Sequence, residues 1–165
     1  MTGVVLGLHV NPEGGVPKHP VHTLEVHREG CIGDKQNDRK HHGGPLKAVS
    51  ILEQHVLEFL QAEGHPISPG STGENVLLGG THPGELMVGT VLELGEVKLC
   101  ITSDAPPCKT IKASFTKGNF NRLSHRKTEG QTRWYARVMR EGSISVGDGV
   151  NIINEGGPVG NPSVL

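Results

Sequence analysis

Glycine occupies 24 of the 165 positions of this chain and proline another 11, and that punctuation limits the fold more than any other feature. Each glycine inside a helix costs about 1 kcal/mol relative to alanine, and each proline about 3 kcal/mol. Long helices are therefore poor solutions for such a chain. Short strands joined by tight turns suit it, and the expected fold class is mostly β (α+β) with a few short helices. The length fits one domain, able to bury roughly 70% of its unfolded surface.

Hydrophobic periodicity locates the elements. Gly3–Val10 is an apolar run without preceding basic residues, which reads as a buried strand and not as a signal peptide. Thr90–Glu96 alternates through Val91, Leu92 and Leu94, and Val97–Thr102 follows a glycine as its hairpin partner. Val76–Leu78, Ser143–Val146 and Gly149–Ile153 are further strands, while Gln131–Arg140 fits a strand or a helix. Val88–Leu94 and Val146–Ile152 resemble each other as turn-then-strand pieces of a barrel. One helix is expected from Pro45 to Gly64, with Ala48, Val49, Leu52, Val56, Phe59 and Leu60 as its apolar stripe. A shorter helix is expected after Pro106-Pro107, with Ile111 and Phe115 on one face. The domain is expected to span residues 1–154, with 155–165 a Gly/Pro-rich tail.

A formal net charge of -1 argues against a nucleic-acid binder or a polybasic membrane anchor. No window approaches the ~20 apolar residues of a membrane span. Cys31, Cys100 and Cys108 are too few and too scattered for a disulfide framework or a cysteine zinc site, and free thiols fit a reducing, cytoplasmic setting.

Cys108 stands out chemically. Two prolines stiffen the approach to it, a helical pattern follows, and Lys109 and Lys112 are close in sequence. A thiol at a helix N-terminus faces unpaired N–H groups and the positive end of the dipole, which favours the thiolate. Such a group is a nucleophile, a sulfur acceptor or a soft-metal ligand; a buried structural cysteine is the plainer alternative. Gly33–Pro45 gathers polar and charged side chains in a loop ending at a helix start. There Arg39, Lys40 and Lys47 could grip a phosphate, and Gly43-Gly44 lets backbone approach a ligand. The same loop read plainly is a solvated segment in which His41 and His42 make ordinary hydrogen bonds. Thr72-Gly73-Glu74-Asn75 is either an ordinary turn or a contact for an oxyanion or pterin edge. The run Arg122, His125, Arg126 and Lys127, with Arg133 beyond, is either a solvated face or an attraction for an anion. Ten histidines do not form a zinc pattern: Pro20 separates His19 from His22, and no carboxylate is placed as a third ligand.

These pieces occur in an order that resembles MOSC domains, named for the C-terminal domain of molybdenum cofactor sulfurase. The set is Gly33-Asp34-x-Gln36, Asp38-Arg39, His41-His42-Gly43-Gly44-Pro45-x-Lys47-Ala48, Gly73-Glu74-Asn75, Pro107-Cys108, Trp134-Tyr135-Ala136-Arg137-Val138 and Gly147-Asp148. It extends from about Val4 to Ile153 and is most similar to compact bacterial stand-alone members. The resemblance implies a β-barrel similar to the pyruvate kinase β-barrel domain. It implies that Cys108 carries sulfur or ligates molybdenum, and that relatives use the molybdenum cofactor to reduce N-hydroxylated compounds. Arg39, His41, His42, Gly43, Gly44, Lys47, Gly73, Glu74, Asn75 and Arg133 are then the expected cofactor-binding residues. The 165 residues contain no stretch resembling the aminotransferase-like sulfurase domain, the additional N-terminal barrel of larger reductases, or a haem, flavin or iron–sulfur module. Sulfur from a donor such as a cysteine desulfurase, or electrons from an external donor, are thus the expected partners. Three functions remain: a molybdenum-dependent reductase, a persulfide or cofactor carrier, and, least supported, a cysteine hydrolase pairing Cys108 with a histidine and Asn75.

Overall fold

Alternation of apolar and polar residues along short segments produces eleven strands and one α-helix in the computed structural model, which describes residues 3–35 and 44–154. The strands are β1 (Gly3–Val10), β2 (His19–Val21), β3 (Thr23–His27), β4 (Gly30–Cys31), β5 (Val49–Glu53), β6 (Val76–Gly79), β7 (Val91–Leu94), β8 (Val97–Ala105), β9 (Arg133–Arg140), β10 (Gly142–Ser145) and β11 (Gly149–Ile153). The helix α1 is Gln54–Ala62. The sheet runs β11-β7-β8-β9-β5-β6-β1-β2, and an additional antiparallel pairing of β11 with β1 closes seven of these strands into a barrel. A small sheet, β10-β3-β4, accompanies it. The expected mostly β barrel is thus present. Among the described residues no helix is long and apolar enough to cross a membrane.

Two expectations are sharpened. Within Gln131–Arg140, the residues Arg133–Arg140 are strand β9, paired with both β5 and β8. The similar segments Val88–Leu94 and Val146–Ile152 contribute β7 and β11, which pair with each other, Leu94 opposite Val150 and Leu92 opposite Ile152.

The long helix from Pro45 is a correction. Pro45–Lys47 is a single 3-10 turn, Val49–Glu53 is strand β5, and only Gln54–Ala62 is helical. All five residues of β5 are buried, because the strand lies between β6 and β9 with the barrel core on one face and a second apolar cluster on the other. A strand buried on both faces loses its alternation and reads as a continuous apolar run. Phe59, counted in the stripe, is 51% exposed.

The side chains of Val49, Ile51, Val76, Leu78, Trp134 and Ala136 belong to the barrel interior. Leu52, Leu77 and α1 residues Val56, Leu57 and Leu60 instead pack outside it, with Ile111, Phe115 and Leu123 from the segment after β8. That outer cluster seats the Cys108 segment against the wall.

Ile51 tests this arrangement, since it is fully buried opposite Val76 and Trp134. Ile51→Ala raises helix propensity, yet is expected to cost about 2–5 kcal/mol in urea unfolding, because it empties a strand position in the core. A loss below about 1 kcal/mol would contradict the strand assignment.

Candidate functional site

Turns on the outer barrel wall carry Asp34, Glu74 and Asn75, and Arg133 of β9 fastens the Thr72–Asn75 turn to the Cys108 segment. Asp34 follows β4 and is almost sealed, its side chain 2% exposed. Its Oδ1 accepts from the Asn11 amide at 2.8 Å, while Oδ2 accepts from Lys18 Nζ at 2.6 Å and Asn75 Nδ2 at 2.9 Å. Asn75 Nδ2 also donates to His9 O at 3.1 Å, and its Oδ1 accepts from the Ser50 amide at 3.0 Å and from Ser50 Oγ at 3.3 Å. Every polar group of the Asn75 side chain is therefore engaged inside the protein. It joins β1, β5 and the Asp34 turn.

Glu74 is fully buried beside it. Its carboxylate accepts from Thr72 Oγ1 at 2.7 Å and from the Gly70 amide, satisfying a charge that would otherwise be costly to bury. Gly70 is required here: with φ of +82°, a side chain would also meet Lys18 O at 2.4 Å. Gly73 has φ of +84°, and its carbonyl accepts from Ser50 Oγ at 3.2 Å.

Arg133, at the start of β9, is 5% exposed. Its Nη1 donates to Thr72 O at 2.7 Å; Nη2 reaches Pro106 O at 3.3 Å and Ala105 O at 3.4 Å. One guanidinium thus joins the Thr72–Asn75 turn to the chain entering Cys108. Its Nε is buried without a hydrogen-bond partner, and no carboxylate pairs with it among the described residues.

Cys108 is half-buried, in extended backbone, with Sγ 2.8 Å from Thr110 Oγ1. The segment after it, Lys109–Ser114, is a 3-10 helix of six residues, so the dipole expected to support the thiolate is that of a short, tight segment. Ile111 and Phe115 are buried, as the sequence suggests. Ser114 Oγ donates to Ser71 Oγ at 2.8 Å, a second fastening between the Cys108 segment and the turn. The other thiols differ. Cys31 is sealed, and burial pushes its pKa up to about 12; Cys100 is half-buried on β8.

The remaining residues named from sequence divide cleanly. Gly44 has φ of +80°, and nothing lies within 4 Å of the Cβ it lacks. Lys47 Nζ stands 5.4 Å from the centroid of the Tyr135 ring. Arg39, His41, His42 and Gly43 lie outside the described residues. Sequence reasoning missed His9, Lys18 and Ser50 altogether; Asp34 appeared only within the Gly33-Asp34 motif. Outside this site, His27, Glu29 and Glu141 bring donor atoms within 4.8 Å of one another on the surface, whereas His19 and His22 join no such group among the described residues.

The sequence profile of the MOSC domain matches residues 38–151. The uncharacterized protein YflK of Bacillus subtilis is 29% identical over 146 residues, 87% of this chain and 65% of that protein. The protein YiiM of Escherichia coli is 26% identical over 121 residues, 70% of this chain and 53% of that protein. The chain therefore spans between half and two thirds of the length of these relatives. Among solved structures, the YuaD protein of Bacillus subtilis superposes with a TM-score of 0.76 at 19% identity, covering 92% of this chain and 96% of that one. Escherichia coli YiiM gives 0.66 at 19% identity, covering 93% and 69%. At such identity the likeness is one of fold.

Two outcomes are expected from this geometry. Asn75→Ala leaves the Ser50 amide and the Asp34 carboxylate short of partners, at about 1–3 kcal/mol for each buried group; urea unfolding measures it, and a loss below about 0.5 kcal/mol contradicts the network. His9 is buried, with Nδ1 unpaired, and burial lowers its pKa, opposed in part by Glu74. The unfolded chain then binds a proton the folded chain resists. Stability is complete above the ordinary value of about 6.5 and falls as pH drops below it, by at most about 1.4 kcal/mol per pH unit. Comparing the wild-type slope with that of His9→Gln isolates this group, and equal slopes would contradict it.

Proposed function

The chain belongs to the MOSC domain family, and we propose that it binds a molybdenum cofactor, with the Cys108 thiolate as molybdenum ligand, and reduces N-hydroxylated small molecules. The observation that carries this reading is the pairing of a half-buried Cys108 with a buried Arg133 that grips the carbonyls just before it. The donor set fits the cofactor. A thiolate is a soft ligand suited to molybdenum, and a buried guanidinium with an unfilled Nε suits an anionic group such as a phosphate. Gly44 leaves its backbone open to close approach.

The bound cofactor would supply two-electron redox chemistry, with electrons from an external donor. The chain's own residues hold and orient. Cys108 presents sulfur from a stiff Pro106-Pro107 lead, and Arg133 fixes that lead to the Thr72–Asn75 turn. Gly73, Glu74 and Asn75 act as its frame, since their polar groups serve internal partners. Gly44 and Lys47, with Arg39, His41, His42 and Gly43 just before them in sequence, are assigned to the cofactor's anionic and polar edges. A reducing, cytoplasmic setting keeps Cys108 a thiol.

A second reading is a persulfide on Cys108, held for molybdenum cofactor or metal–sulfur cluster maturation. It is favoured by the Thr110 hydroxyl 2.8 Å from Sγ, which can hydrogen-bond a sulfur anion. Here a cysteine desulfurase is the donor.

One experiment separates the two. Protein made in a cofactor-competent host is assayed for molybdenum and pterin, and its intact mass is taken after incubation with a desulfurase and cysteine. The cofactor reading expects near-stoichiometric molybdenum in wild type and at least roughly a tenfold loss in Cys108→Ser, equivalent to about 1.4 kcal/mol or more of binding. Absence of molybdenum and pterin in wild type overturns it. Sulfur added to wild type but not to Cys108→Ser supports the carrier, and equal addition to both removes it.

A further inference from the structure

Charge is strongly segregated along this chain. Residues 105–128 contain Lys109, Lys112, Lys117, Arg122, Arg126 and Lys127 and none of the chain's 17 acidic residues, although the whole carries a net charge of -1. The structure folds this stretch over the outer apolar cluster. The 3-10 segment Lys109–Ser114 packs against two others, Thr116–Gly118 and Phe120–Arg122, with Ile111, Phe115 and Leu123 turned inward. The cations are left outward: Lys109, Lys112, Lys117, Arg126 and Lys127 are all exposed, and none makes an ion pair among the described residues. The turn that carries Lys117 lies against Lys112, since the Cβ that neighbouring Gly118 lacks would stand 3.7 Å from Lys112 Cβ. Arg122 alone is committed, its guanidinium meeting both oxygens of Glu63 at 3.1 and 2.7 Å. Glu63 sits at the end of α1, where His65 Nδ1 also accepts from the Thr116 amide at 3.0 Å. The basic face is therefore anchored to the body of the protein, not carried on a loose loop.

We propose that this basic face, which begins beside Cys108 at Lys109, is a docking surface for a partner protein that presents a carboxylate-rich face to it. Uncompensated like charges repel one another, and an acidic surface relieves that repulsion while steering the partner toward the segment that Cys108 opens. A nucleic acid fits less well. Phe115 is buried and Phe120 is half-buried against the outer cluster, so neither phenylalanine of this stretch stands free for base stacking. The inference rests on the Cys108 reading only in giving the thiol beside Lys109 a role in what docks there.

The test uses a fluorescein-labelled oligoglutamate peptide as probe, with the intact protein and with Cys108→Ser, so that failure of the cofactor or persulfide reading does not affect it. The peptide is expected to bind both proteins equally, and salt at about 0.5 M should abolish the binding. Combined Lys109→Glu, Lys112→Glu and Lys117→Glu should weaken it roughly tenfold or more. Lys98→Glu, at the far end of β8 and roughly 20 Å from Ala105 along the strand, should leave it unchanged. Saturating peptide should slow N-ethylmaleimide modification of Cys108, located by mass spectrometry, several-fold. If the triple charge reversal unfolds the protein, the Lys→Gln triple replaces it. Three results overturn the proposal: unchanged binding in the folded triple variant, no protection of Cys108, or a single-stranded oligonucleotide of equal charge binding more tightly than the peptide.

Discussion

Closure of the barrel rests on a narrow seam, where Gly3 meets Val150 and Val4 meets Gly149. Two of these four residues lack side chains, and at Gly3 there is no room for one, because its Cβ would stand 2.8 Å from Gly79 O of the neighbouring β6. The amide of Val5 donates to Asp148 O and its carbonyl accepts from Gly147, which secures the turn before β11. With the ends joined, the edges of the sheet are removed, leaving only β2 as an outer strand. The apolar residues of seven strands can then share one interior. The outer wall of β5, β6 and β9 becomes a rigid floor for polar groups from distant segments.

On that floor the polar network is not decoration. Asn75 satisfies three segments at once, Glu74 is fully paired by its own turn, and Arg133 ties that turn to the lead of Cys108. Buried polar groups are expensive when unpaired and rigidifying when satisfied. The wall is thus stiff where pairing is complete. Among the described residues, His9 Nδ1, Arg133 Nε and Trp134 Nε1 are buried without a partner, and Arg133 Nε sits on the guanidinium that grips the cysteine's lead.

Much of the barrel could be read directly from the chain, because its strands are short, alternate cleanly and are bracketed by glycine. The β7–β8 hairpin needs only Val91, Leu92, Leu94 and the glycine after them. The segment from Ala48 to Leu60 could not be read that way. Burial of β5 on both faces erased the alternation, and chance three- and four-residue spacing took its place. The site was legible in its parts but not in its connections. Gly73-Glu74-Asn75 is visible as a turn, yet the partners of Asn75 lie 25, 41 and 66 residues away in sequence. No local pattern announces a side chain whose bonds are all non-local. Cys108 was legible because its distinction, two prolines before and lysines after, is local.

The junction of β5 and α1 has a mechanical consequence. Glu53 ends the strand and Gln54 begins the helix, with no residue between them. A loop would absorb displacement by twisting its own dihedrals; a direct junction has no such slack. The far end of α1 is clasped to the basic face by Glu63 and Arg122, while β5 carries Ser50, whose amide holds Asn75. Strand and helix together form a single spar, pinned at one end by Arg122 and at the other by the Ser50 amide under Asn75.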